Sequence, residues 1–135
     1  MFRNQLKGAR TETALASATS AENADRKGAT LSTNKVDDGS LAVHLDVTIV
    51  TGSVVATLRH EVSDDGTTFY PLVQPNNAAN VTTTATAIKK IDVPQSWKRY
   101  RYYRCVVTLS GAATAGGDLT AANYEYLQYG TEAAR

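Results

Sequence analysis

Few side chains in this sequence are suited to reactive chemistry. It holds one cysteine, Cys105, and two histidines, His44 and His60. Nucleophilic catalysis needs a serine or cysteine activated by a neighbouring base. No Gly-x-Ser-x-Gly elbow occurs, and Cys105 lies inside an apolar run, where a small core thiol is expected. His60 shares the phase of Leu58 and Val62, whereas His44 falls on the polar side of its own run. Opposite phases keep the two rings apart, so His60 reads as a hydrogen-bonded structural residue. A single cysteine cannot close an intramolecular disulfide, and with two histidines it cannot complete a closed zinc site.

The acidic pairs give no better centre. Asp37 and Asp38 precede Gly39, and Asp64 and Asp65 precede Gly66. A calcium loop needs oxygen ligands at alternating spacing and a closing bidentate carboxylate, and neither segment has them; both read as turns. Glu61 and Asp92 stand without a partner that spacing reveals. Asn80, Val81 and Thr82 match a glycosylation sequon, but no secretory signal accompanies it. Gly116 and Gly117 are followed by Asp118, whose charge repels phosphate. The expectation is a protein with no catalytic residues, no cofactor and no bound metal.

One segment is compositionally unusual. Trp97 to Arg104 reads WKRYRYYR, four cations and four aromatics in eight residues. As a strand it places Tyr100, Tyr102 and Arg104 on one face and Arg101 and Tyr103 on the other. Such a strip can be a structural strand with arginine stems lying over rings, a protein interface, or a base-stacking surface. Fourteen basic against thirteen acidic residues give a net charge of +1, which argues against the last. Partner contacts are therefore expected at Trp97, Tyr100, Arg101, Tyr102 and Tyr103, with no nucleic acid.

These residues sit in a chain patterned for strands. Leu41, Val43, Leu45, Val47 and Ile49 alternate with Ala42, His44, Asp46 and Thr48, the period of a half-buried strand. A second strand is predicted over Val54 to Ser63. Ser63 to Thr67 contains an Asp-Gly step that favours a hairpin. Pro71 confines the run Thr68 to Val73 to an edge or a strand end. One or two short strands fit Val81 to Val93, a strong one fits Tyr100 to Leu109, and a last one fits Leu119 to Tyr129. Thr51 to Ser53, Gln74 to Asn80 and Gly111 to Asp118 read as turns or loops. Seven or eight short strands and no convincing long helix predict an all-β protein, an antiparallel β-sandwich of jelly-roll or immunoglobulin-like topology.

The first 39 residues differ. Thr11 to Asp25 is rich in Ala, Ser and Thr, with Leu15 its one large apolar residue, and Val36 to Gly39 ends in a turn signal. A short helix over Glu12 to Ala18 would bury little. The reading is an extended polar N-terminal arm over 1–39, a sandwich over 40–130 and a tail over 131–135. An arm of about 38 residues at ~3.3 Å each reaches on the order of 100 Å, far enough to cross a neighbouring subunit. Met1 to Asn34 is the reaching element, and Phe2, Leu6 and Leu15 are its candidate contacts. A chain of 135 residues with 42% hydrophobic and 20% charged residues suits one domain with a buried core. No apolar run reaches membrane-spanning length, so a soluble protein made inside a cell is expected, without a membrane partner.

The order of elements resembles a known family. A polar segment, then Leu41 to Val47, then Leu58 to Phe69 with its Ser63 to Thr68 turn, then Arg101 to Val107 and the closing Tyr126 to Gly130, is similar to the capsid cement (decoration) proteins of tailed bacteriophages, those of β-sandwich or jelly-roll kind. The resemblance covers about residues 40 to 130 and transfers no functional residue. It implies a virion protein without catalytic activity that sits on the capsid exterior and binds the major capsid protein. It also implies that the protein ties neighbouring capsid subunits together. Exposed sandwich edges favour a homo-oligomer, a dimer or trimer. Two other readings remain open: a carbohydrate-binding module of a fibre or spike, and a head-completion or tail-adaptor protein.

Overall fold

A computed structural model describes residues 9–19, 25–49, 55–72, 81–83, 86–110 and 119–128. Ten strands follow one another: β1 (Ala9–Ala18), β2 (Asp25–Lys27), β3 (Leu31–Ser32), β4 (Val36–Thr48), β5 (Val55–Ser63), β6 (Tyr70–Pro71), β7 (Val81–Thr83), β8 (Ala87–Asp92), β9 (Tyr102–Ser110) and β10 (Leu119–Gln128). Two short 3-10 turns, Thr33–Lys35 and Gln95–Arg99, are the helical pieces among the described residues.

The strands form two antiparallel sheets. The first has the order β1-β10-β4-β8. In the second, β9 and β5 are central; β2 and β3 follow one another along the free side of β9, and β6 and β7 share the free side of β5. Counting each pair of fragments as one position gives eight positions, ordered 1-8-3-6 in one sheet and 2-7-4-5 in the other. That is the jelly-roll arrangement of a β-sandwich.

Alternation explains the layers. On β4, Leu41, Val43, Leu45 and Val47 are buried while Asp46 is exposed and His44 half-exposed. Tyr103, Cys105, Val107 and Leu109 on β9 face them from the second sheet with no exposed area. Ala56, Leu58, His60 and Val62 on β5 and Ala122, Tyr124 and Tyr126 on β10 complete the inner faces. The Asp-Gly turn forms as predicted and joins β5 to β6. Gly66 takes φ +79, a left-handed conformation that glycine adopts without strain. Ser63 Oγ accepts from the amides of Asp65 and Gly66, and Asp65 Oδ1 accepts from those of Thr67 and Thr68. Pro71 lies at a sheet edge, as expected.

The N-terminal segment departs from its expected form. Residues 9–18 are no free arm and no helix but an edge strand, with Ala9 opposite Leu127 and Thr13 opposite Asn123. Large apolar residues are not required there, because an edge strand is held by its backbone ladder, and Ala14 and Leu15 are enough to reach the core. Arg26 ties the segment down: Nη1 donates to the Thr120 carbonyl and hydroxyl at 2.7 and 2.9 Å, and Nη2 donates to the Ala16 carbonyl at 2.8 Å. The boundary expected at residue 39 falls inside β4, so Asp37 to Gly39 continue a strand instead of turning. Phe2, Leu6, the tail 131–135 and the turns expected at 51–53, 74–80 and 111–118 lie outside the described residues.

Candidate interaction surfaces

The basic–aromatic segment is divided between core and surface. Its first half is not a strand, because Gln95–Arg99 is a 3-10 turn that carries Trp97 inward. Trp97 has no exposed area and meets Tyr103 edge-to-face at 5.9 Å, and Tyr103 meets Tyr124 at 5.7 Å. Trp97 and Tyr103 are therefore core residues, and the expectation that they contact a partner is corrected. Leu15, 7% exposed, is corrected for the same reason. Lys98 Nζ donates to the Val36 and Thr33 carbonyls at 2.8 and 3.3 Å, closing the sandwich end over Trp97. Tyr100 packs half-buried on the core, Tyr102 covers the Gly66 turn, and Arg101 is exposed. Of the five residues expected to contact a partner there, Arg101 is the exposed one, and Arg99 in the same segment is exposed as well.

The outer face of the second sheet carries a line of paired charges. Arg59 Nη2 donates to Asp25 Oδ2 at 2.8 Å, and Arg59 Nε lies 3.6 Å from Glu61 Oε2. Glu61 Oε1 accepts from Arg104 Nε and Nη2 at 2.9 and 2.7 Å. The Arg104 guanidinium then stacks 3.9 Å from the Phe69 ring centroid. Hydrogen bonding from Arg59 holds the Asp25 carboxyl below its ordinary range, and the same bond raises Arg59. Beneath this line Val106, which points outward opposite Arg59 and Lys27, has no exposed area. Sequence spacing left Glu61 without a partner because Arg104 reaches it only through strand register. The signal that was present is the opposite charge of Arg59 and Glu61 at i and i+2, on one face.

The outer face of the first sheet is more open. His44 Nε2 and Glu125 Oε1 lie 2.6 Å apart, and Lys90 Nζ is 3.8 Å from the same oxygen. The hydrogen bond with His44 is the main cause of a lowered Glu125 carboxyl. Next to this cluster runs a groove of about 570 Å³. Its floor is made by small residues on β4, Ser40 and Ala42, between Lys90 and Asp92 on β8 and Glu125 and Leu127 on β10.

The remaining reactive types are inward. His60 is 5% exposed, with Nδ1 2.5 Å from the Tyr103 hydroxyl, and burial lowers its pKa to about 4. Cys105 is fully buried and its thiol is pushed up to about 12, away from thiolate chemistry. His44 and His60 point to different sides, as their opposite phases predict, and their two strands belong to different sheets. Among the described residues, no group of three or more His, Cys, Asp or Glu could hold a metal ion. No helix among them is long and apolar enough to cross a membrane.

No family model and no curated protein matches the chain. Solved structures do share its fold. The chain is similar to a structure of the Gx strain of infectious bursal disease virus, with a TM-score of 0.50 and 12% identity over 91% of this chain and 32% of that one. It is also similar to the VP2 subviral particle of that virus, with a TM-score of 0.52 and 11% identity over 90% of this chain and 32% of the other. The T13 particle of the same virus gives a TM-score of 0.52 and 12% identity over 90% and 31%. This chain thus spans about a third of each chain it matches. At such identity the likeness shows the fold alone, a β-sandwich.

Proposed function

We propose that this protein is a non-enzymatic virion structural protein that binds the outside of a bacteriophage capsid and cements neighbouring major capsid proteins. The observation that carries the reading is the jelly-roll strand order, an architecture shared with proteins that build viral particles. The arrangement of polar groups supports it. The charges of the second sheet pair with one another, and the histidine and cysteine of the interior are sealed away. Such a scaffold offers preformed surfaces, and repetition over a lattice multiplies modest contacts into firm attachment. The grooved face of the first sheet and the exposed Arg101 are the contacts assigned to the capsid.

The test is to add purified protein to expanded heads of the encoding phage assembled without it, and to image the particles. Decoration of the outer shell in hundreds of copies is expected. A ring of a few copies at one vertex would instead indicate a completion or adaptor protein, and an absence of binding would sink the proposal. Burial of Trp97 removes the largest aromatic platform from the carbohydrate-binding alternative. A glycan-array signal that survives substitution of Tyr100 and Tyr102 has no aromatic basis in this segment.

A further inference from the structure

We propose that Lys89 guards the open edge of the first sheet and keeps it from pairing with the same edge of a second copy. That sheet ends in β1 on one side and in β8 on the other. The β1 edge is irregular and occupied. Its register shifts between Thr13 and Leu15 and again between Leu15 and Ala18, and the Ala14 and Ala16 carbonyls accept from the Ala29 amide and from Arg26. β8 is different. It pairs with β4 in unbroken register, from Asp92 opposite Ala42 to Ala87 opposite Val47, and no described strand lies on its other side. The Val93 amide donates to the Leu41 carbonyl in that same register. Alternation then turns the amides of Ile91 and Lys89 toward β4 and those of Lys90 and Ile88 toward the open side. Ile88 is also 72% exposed, more than any other large apolar side chain among the described residues. A straight edge with outward backbone groups and an exposed isoleucine is a template for another strand.

Register puts the guard in place. Lys89 stands opposite Leu45, which has no exposed area, so Lys89 belongs to the inner face together with Ile91, which packs on the core. Its side chain is nevertheless exposed, because β8 is the last strand and the ammonium reaches water past it. A second β8 laid antiparallel alongside would take that water away. Residues opposite one another in a continued sheet share a face, so the two-fold axis must pass through a residue. Axes at Ile88, Lys89 and Lys90 give the registers that overlap most of the strand. With the axis at Lys89, the two Lys89 side chains lie directly across from each other. With the axis at Ile88 or Lys90 they are diagonal neighbours, about 7–8 Å apart and within reach of long side chains. Each register therefore gathers two ammonium groups on the inner face of one sheet, where repulsion and lost hydration oppose pairing. Lys90 is on the outer face beside Glu125 and meets its copy directly in only the last of these registers. The inference does not rest on capsid binding, and its test is carried out in free solution.

Sedimentation velocity on purified full-length protein decides it. Lys89→Val is expected to double the mass relative to the wild type, with association strengthened roughly tenfold or more. Lys89→Glu keeps a like charge at the same place and is expected to sediment as the wild type does. Ile88→Pro removes an amide that β4 does not use, which an edge strand tolerates. Added to Lys89→Val, it is expected to return the wild-type mass, and alone it is expected to leave the mass unchanged. Lys89 is exposed, so its variants are expected to keep the wild-type circular dichroism spectrum. A Lys89→Val chain that sediments as the wild type does would overturn the proposal. So would association that survives Ile88→Pro, the same association in Lys89→Glu, or a wild-type mass that falls with Ile88→Pro alone.

Discussion

A buried imidazole bonded to a buried phenol makes His60 sensitive to acid. Its pKa of about 4 in the folded chain lies below the ordinary 6.5, so the unfolded chain takes up the proton first. Stability from this residue is complete above pH 6.5 and drains away as the pH falls toward about 4, by on the order of 3 kcal/mol. Asp25, held low by Arg59, and Glu125, held low by His44, act in the same direction but only beneath their ordinary values of 3.8 and 4.5. Urea midpoints measured from pH 8 to 4 are expected to fall for the wild type and to stay nearly level for His60→Gln. An unchanged acid slope in that variant would count against the assignment. Trp97 gives a second prediction at this scale. Removing a fully buried indole leaves a cavity, so Trp97→Ala is expected to cost ~3–5 kcal/mol in chemical denaturation. A loss of partner binding with unchanged stability would mean that the ring lies at the surface after all.

Among the elements, the first 34 residues have changed role most. As an arm they would be dispensable for folding; as β1, β2 and β3 they line both β10 and β9. Deleting Met1 to Asn34 is therefore expected to leave a chain without cooperative thermal unfolding by circular dichroism. A sharp wild-type-like transition would restore the arm. Gly28 just after β2 is equally constrained, because a Cβ there would lie 2.9 Å from both Cys105 Sγ and the Tyr124 hydroxyl. Gly28→Ala is expected to cost about 1–3 kcal/mol, read as a lowered Tm. These elements also show where sequence was informative. The strands of β4, β5, β9 and β10 were legible because apolar and polar residues alternate along them, and the Ser63 to Thr68 turn because its chemistry is local. β1 was not, since Thr, Ala and Ser give no period and the strand exists through its pairing with β10. The 3-10 turn at Gln95–Arg99 was hidden for a related reason: Trp97 is inward because it packs on Tyr103 and the core between the sheets, contacts that local spacing does not reveal. The charge line of the second sheet depended on register and could be seen only once β2, β5 and β9 were neighbours.

For the molecule as a whole, topology governs assembly of the fold. Apart from the β5–β6 turn, the main pairings join segments far apart in sequence: β1 with β10, β10 with β4, β4 with β8 and β5 with β9. Loops must close before these contacts form, so refolding from urea is expected on the order of milliseconds to seconds. Stopped-flow fluorescence of Trp97 can follow it, and relaxation within tens of microseconds would contradict a mechanism dominated by distant pairing. The junction of β1 and β10 carries one more implication. Ala9 sits directly across from Leu127, so the start of β1 and the end of β10 lie at the same corner of the sheet, on neighbouring strands. A brief peptide stitched across that corner would let the polypeptide be cut open instead at the exposed tip around Asp64 and restarted there, giving a circularly permuted version of the same sandwich.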